Sequence, residues 1–406
     1  MKNPSTTSGG SYGPLSLYIN PYLAQVRAQG YARASIKEQT HVLELCDRWM
    51  RRTGREVRDL DEAAMGDCLK RVSRHRYGRN AASSTLQRLL GMLRRDGAAP
   101  PTKTVCPSQI EQLVGKYERF LLDERNLAAG SIAHSRLYAH RFLTETFADG
   151  LLRLSTLRAS EVTAFIQRHA RDHGPFYTRH LVNTLRSFLR FLHYKGLINT
   201  DLSIAVPKVA CWSFSTLPKH LPAAQVRQML EGCDRKTSLG RRNYAILLLL
   251  ARLGLRAGEV IKLNLEDIDW ENARIAVCGK TRRSAQLPLP ADVARAIARY
   301  LHRDRPRCIS RRVFIRHHAP TEGFSSAAAL GSIVKRALAK VGVASARKGA
   351  HLLRHSLATD MLRRGASLDE IGEILRHKSP DSTAIYAKVD LNSLRTLALP
   401  WTGGVR

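Results

Sequence analysis

Residues 244–255, Tyr-Ala-Ile-Leu-Leu-Leu-Leu-Ala-Arg-Leu-Gly-Leu, restrict what this chain can become more than any other stretch. A helix that is apolar on every side has no face to give to water, so it must be the centre of a domain. Its unbroken apolar run, Ala245 to Ala251, is far shorter than the roughly 20 residues a membrane-crossing helix needs. Burial inside protein is the remaining way to hide it, and the flanking chain, about 220 to 400, must supply the cover. Within that region, Ala273 to Cys278 and Ser284 to Leu289 read as two strands, with Gly279-Lys280-Thr281-Arg282-Arg283 as the turn between them. Beyond them the pattern is helical almost to the end. Ser367 with Glu370 forms a capping box. Ser379-Pro380 reads as an N-cap followed by a proline at the first helical position, opening a helix expected to carry Tyr386.

Two breaks divide the rest. One is Asp96 to Thr104, where Gly97 and the pair Pro100-Pro101 stop a helix; the other runs from Val206 to Pro222 around Pro207, Pro218 and Pro222. The expected divisions are a flexible tail at 1–14, a helical module at 15–95, a second helical domain at 107–205 and a mixed α/β domain at 220–400. The two helical regions echo each other. Ser35-Ile36 answers Ser131-Ile132 at an offset of 96, Leu60 answers Leu157 at 97, and Thr85-Leu86 answers Thr184-Leu185 at 99. In the second region Leu181, Leu185, Phe188, Leu189 and Leu192 fall on one helical face. A duplicated helical unit is the expectation.

Charge indicates the partner. Lys and Arg number 66 against 34 Asp and Glu, a formal net charge of +32. Such an excess favours a polyanion, and nucleic acid is the commonest one. The seven cysteines are scattered and never fall in a Cys-x-x-Cys pair, so a disulfide framework or a structural zinc site is not expected. The polar, Gly-rich start does not read as a signal peptide, and no membrane association is expected.

Four fragments of the last region bear on one chemistry. Leu253 to Glu259 reads as the end of the buried helix, carrying Arg256 with Glu259 three residues on; Lys280 follows Gly279 at the predicted hairpin tip; His351 and Arg354 lie three apart on one helical face; His377 precedes Tyr386 by nine. Phosphodiester cleavage without a metal concentrates charge on two non-bridging oxygens. Arg256 and Arg354 suit that charge, because a guanidinium offers a planar fork of donors and stays charged. A tyrosine can hold the cut strand as a covalent ester, keeping the bond energy for rejoining. A mobile lysine, Lys280, can protonate the departing 5′ oxygen. His351 and His377 can donate to phosphate oxygens or exchange the nucleophile's proton. Glu259 can hold Arg256 in place by an ion pair.

This set, Arg256, Lys280, His351 with Arg354, His377 and Tyr386, resembles the tyrosine recombinase (phage integrase) family. The spacings are 24 from Arg256 to Lys280 and 26 from His351 to His377, and the flanks LGLRAGEV, HLLRHSLATDML and LRHKSPDSTAIYAKV fit as well. The resemblance covers most of 220–395. Residues 107–205 are similar, less specifically, to the family's helical core-binding domain, and 15–95 departs from it as an additional N-terminal module. The resemblance implies a mainly α chain with an α/β catalytic domain that cleaves and rejoins double-stranded DNA through a 3′-phosphotyrosine. It implies a C-shaped clamp on the duplex, with the second break and its Lys208 and Lys219 crossing the DNA, and Arg282 and Arg283 as further DNA contacts. Four protomers would join two sites, with other recombinases or DNA-bending helpers as further candidate partners. No metal or other cofactor is implied, and the expected location is cytoplasmic and nucleoid-associated. The expected role is integrase or transposase of a mobile element. Chromosome or plasmid resolution, a type IB topoisomerase and a catalytically silent DNA-binding regulator stay open as alternatives.

Overall fold

A computed structural model describes residues 13–72, 79–102, 107–209, 219–279, 284–344, 349–377 and 379–389. Backbone contacts divide the chain into two compact units, Thr104–Thr216 and the combination of Met1–Lys103 with Leu217–Arg406.

The unit Thr104–Thr216 is helical, and its four main helices are labelled α5 to α8 in chain order. The N-terminal part of the other unit supplies α1 (Ser16–Ala28), α2 (Arg33–Thr53), α3 (Glu62–Val72) and α4 (Arg79–Arg95). Then follow α5 (Gln109–Asp123), α6 (Ala129–Thr146), α7 (Ala159–Asp172) and α8 (Pro175–Tyr194). Both sets run helix, helix, 3-10 turn, helix, helix. The turns Val57–Asp59 and Leu154–Thr156 each deliver a buried leucine, Leu60 and Leu157, the pair matched by offset in the sequence. Each set has its own core. Around α5 to α8 it is aromatic, with Tyr117, Phe142, Phe165 and Phe188 packed edge to face. Around α1 to α4 it includes Tyr22, Leu43, Met50 and Leu89.

Local chemistry explains several boundaries. Ser108 opens α5 by accepting the Glu111 amide at 3.1 Å, while the Glu111 carboxylate accepts the Ser108 amide at 2.8 Å. Pro175 opens α8, where its missing N–H costs nothing. Gly54 ends α2 in the left-handed conformation, φ 65°. The buried Asp47 carboxylate of α2 accepts the Leu15 amide at 2.9 Å and packs on Gly13. Residues 13 and 14, assigned to the tail by sequence, are therefore part of the fold; residues 1–12 lie outside the described residues.

The remaining elements are α9 (Ala223–Glu231), α10 (Ser238–Arg252), α11 (Ala257–Lys262), β1 (Ile268–Asp269), β2 (Arg274–Cys278), β3 (Ser284–Pro288), α12 (Ala291–Arg303), α13 (Ala328–Lys340), α14 (His351–Arg363), α15 (Leu368–Leu375) and α16 (Asp381–Ala384). Thr237 caps α10 by accepting the Gly240 amide at 3.1 Å. The whole run Ala245–Ala251 is buried, with α12, α14, α9 and α13 packed around it, as a helix apolar on all sides requires. The sheet is antiparallel in the order β1-β2-β3, with Ile275 opposite Leu287 and Cys278 opposite Ser284. Ile275 and Val277 face the core while Arg274 and Cys278 face outward, the alternation of a half-buried strand. The two-residue β1 was not legible in the sequence, because two residues are too few to show alternation. The loop before α13 meets the N-terminal part: the Thr321 amide donates to the Gln29 carbonyl at 3.0 Å.

Candidate active site

The site begins where α10 stops. Gly254 takes a left-handed conformation, φ 57°, and a Cβ there would lie 2.6 Å from Leu375. Glycine meets both demands at once. The chain reverses, so Arg256 does not end the buried helix; it is the N-cap of α11. Glu259 reaches back from the first turn. Its Oε2 accepts the Arg256 amide at 2.9 Å and its Oε1 accepts Arg256 Nη1 at 2.9 Å. A charge-assisted bond of this kind fixes the guanidinium as well as the helix start.

Helix α14 supplies the second arginine. Its side chain is 4% exposed and reaches two turns of chain remote in sequence. Arg354 Nη1 donates to the Gly254 carbonyl at 2.5 Å, and Nη2 donates to the Leu375 carbonyl. It therefore ties the turn before Arg256 to the end of α15. His351 is the first residue of α14 and is exposed, so the pair predicted to share a face is split between surface and interior.

The end of α15 adds a group that the sequence did not single out. Ser367 and Glu370 form the expected capping box at its start, with the Glu370 amide donating to Ser367 Oγ at 3.2 Å. At its other end Arg376 sits in the left-handed conformation, φ 56°, and its Nη2 donates to Glu259 Oε2 at 2.9 Å. One carboxylate thus holds two guanidiniums. Burial pushes the Glu259 acid up, but the Arg256 amide and the charges of Arg376 and Arg256 outweigh it and hold the carboxyl below the usual range. Burial and the neighbouring Arg256 and Arg376 pull Arg354 down to about 10, still charged near neutral pH.

Tyr386 departs from the prediction in its local structure. Ser379 Oγ does accept the Asp381 amide, at 3.3 Å, but α16 ends at Ala384 and Tyr386 lies in the turn beyond it. Its ring is 1% exposed and nearly parallel to His377, centroids 6.3 Å apart. The proton partner of its hydroxyl is His355, whose Nδ1 lies 2.8 Å from Oη. His377 turns its Nδ1 to Thr383 Oγ1 at 2.6 Å instead. Burial pushes the Tyr386 phenol up to about 12, only partly offset by Arg354. Burial, then Arg354 and Arg256, pull His377 down to about 4, so it is neutral through the physiological range.

The structure therefore brings together Arg256, Glu259, Arg354, His377 and Tyr386. Lys280, Arg282 and Arg283 lie outside the described residues. Lys208 and Lys219 are both exposed. Sequence reasoning missed His355 and Arg376. The available signal was adjacency, since each neighbours a chosen residue, but adjacency does not say where a side chain points. Three guanidiniums around one carboxylate can hold an anion, and a tyrosine hydroxyl beside a histidine nitrogen can act as a nucleophile once it gives up its proton.

Comparison with known proteins bears on what that anion is. The phage integrase family model matches residues 219–392. The Sinorhizobium fredii protein y4rA, which carries the name of an integrase/recombinase, is 45% identical over 394 residues, covering 96% of this chain and 95% of that protein. In structure, the XerH site-specific recombinase in a pre-cleavage complex with its difH substrate is similar at a TM-score of 0.55 and 17% identity, over 97% of this chain and 98% of that one. The Tn1549 transposon integrase in complex with circular intermediate DNA gives 0.52 at 18% identity, over 71% and 98%.

Proposed function

The chain belongs to the phage integrase family of tyrosine recombinases, enzymes that cleave and join DNA, and on that premise we propose that Tyr386 is its nucleophile in a site built from Arg256, Arg354, His355 and His377, with Lys280 completing it. Tyr386 Oη attacks the scissile phosphorus. A P–O bond to the phenol forms, the bond to the 5′ oxygen breaks, and the strand is held as a 3′-phosphotyrosine. The phenol's proton passes to His355, the acceptor 2.8 Å away. The departing oxygen takes its proton from Lys280. Arg256 and Arg354 stabilise the charge on the non-bridging oxygens. Rejoining is the reverse reaction, with a 5′ hydroxyl attacking the ester.

The observation that carries this reading is the meeting of segments far apart in sequence. Glu259 holds Arg256, Arg354 is tied to the turn before it, and Tyr386 lies against the histidine that follows Arg354. Residues 220–400 are the catalytic domain in this reading, 107–205 the core-binding domain and 15–95 an added module for DNA or a neighbouring protomer. Double-stranded DNA is the substrate, which places the enzyme with the nucleoid in the cytoplasm, and a tetramer on two sites is the working assembly. The name integrase/recombinase carried by the 45% identical relative supports a role in integration, and a mobile element is the DNA this reading proposes.

The test uses nicked duplexes that trap the covalent intermediate, built from DNA flanking the gene. Wild-type protein is expected to form an adduct, and Tyr386→Phe to form none while binding the same duplex with nearly unchanged affinity. An adduct that persists in Tyr386→Phe would remove Tyr386 from the role.

A further inference from the structure

Arg376 is left unexplained by the mechanism above. It is a non-glycine residue at a left-handed helix end, φ 56° and ψ 51°, where glycine is the ordinary choice. Its side chain is mostly buried, and burial lowers its affinity for a proton. Nη2 is held by Glu259 at 2.9 Å, but the enclosed Nη1 has no hydrogen-bond partner among the described residues. A strained backbone, a buried charge and an orphaned donor are three separate costs at one residue. A helix end of this kind needs none of them.

The charges around it suggest what offsets these costs. Arg256, Arg354 and Arg376 interact electrostatically with one another, and Glu259 is the acid among them. His377, pulled down to about 4, adds no charge near neutral pH. Three positive groups against one negative leave an excess of two. The five-coordinate phosphorus of the cleavage step carries two negative charges on its non-bridging oxygens. Arg256 and Arg354 alone, with Glu259 between them, would leave an excess of one.

We propose that Arg376 is a third arginine of the phosphate site: Nη2 stays on Glu259, and Nη1 turns to a non-bridging oxygen of the scissile phosphate. This rests on the reading of the site given above. Arg256 and Arg376 then act as a pair, two forks set by one carboxylate, and Glu259 positions both.

Arg376→Gly tests this; glycine adopts the observed backbone conformation freely, while the substitution also takes an ion-pair partner from Glu259. The substrate is a trapping duplex on which wild-type protein forms the covalent adduct, made in two versions. One has the natural scissile phosphate, and the other has a methylphosphonate in which one charged oxygen is replaced by a methyl group. Arg376→Gly is expected to melt below wild type, because loss of its ion pair with Glu259 outweighs the relieved backbone strain, so adduct formation is measured well below that temperature. It should form adduct roughly 10²-fold more slowly on the natural duplex. On the methylphosphonate duplex, where the charge it serves is gone, the deficit should shrink to less than about 5-fold. Arg376→Lys, which keeps the charge but not the fork, should fall between. A deficit equal on both duplexes would make Arg376 a structural residue and overturn the proposal, and so would a variant as fast as wild type on natural DNA. If no duplex yields a wild-type adduct, the reading of the whole site fails and this one with it.

Discussion

Glu259→Gln removes one charge and almost no volume, at the point where two guanidiniums converge. The Glu259 side chain is 5% exposed, Arg376 is 15% exposed and Arg256 is 34% exposed. Two unit charges about 4 Å apart are worth roughly 4 kcal/mol at an effective dielectric of about 20. Arg376 is enclosed enough to count nearly in full. Arg256 is a third exposed, so solvent screens its share to about half or less. Glutamine keeps an oxygen acceptor and recovers about 1 kcal/mol. The remainder, roughly 3–5 kcal/mol, matches the usual cost of removing one partner from a buried ion pair. For a domain of this size each kcal/mol moves the melting temperature by about 2–4 °C, so a fall on the order of 10 °C is expected. Adduct formation should fall roughly 10²-fold, because Arg256 loses its anchor. Affinity for DNA should not fall, since the site has gained net positive charge. Differential scanning calorimetry, adduct kinetics and filter binding measure the three effects. A melting temperature within about 2 °C of wild type, with an unchanged adduct rate, would refute the view that Glu259 anchors the pair.

Two further outcomes are expected. His377 has its proton affinity depressed from 6.5 to about 4 by burial, Arg354 and Arg256; a depressed group stabilises fully above its unfolded value, and that stability is lost as pH falls through about 4. Adduct formation should therefore show no step near pH 6.5 that His377→Asn abolishes, and a step of that kind would mean His377 is charged in its working state. Lys280→Ala should slow cleavage of normal DNA by roughly 10²–10⁴-fold and be largely rescued by a bridging sulfur at the 5′ position, which leaves without a proton. An equal deficit on both substrates would show that Lys280 is not the acid.

Some of the architecture was present in short-range pattern. The apolar run before Gly254 dictated a buried helix, the run Ala273 to Cys278 ahead of a Gly-Lys turn read as a strand, and Ser367 with Glu370 marked a helix start. These features depend on residues within about one turn of each other, and such spacings survive in the linear order. Motif spacing likewise proposed Arg256, Lys280, His351, Arg354, His377 and Tyr386 for one chemistry, and the fold brings Arg256, Arg354, His377 and Tyr386 together. The helix predicted to carry Tyr386 stopped short at Ala384.

The relations between those residues came only from the folded chain. Glu259 and Arg376 are 117 positions apart, and Arg354 finds its acceptors 100 and 21 positions away. That His355 and not His377 faces the Tyr386 hydroxyl depends on how α14 and the turn after α16 pack together. The sequence by itself singled out groups whose chemistry suits phosphodiester cleavage, because that depends on residue type and local spacing. The tertiary structure decided which histidine can take the proton, which carboxylate holds which arginine and how far each is charged, because proton affinity and hydrogen bonding depend on distance and burial, and neither is a property of the linear chain.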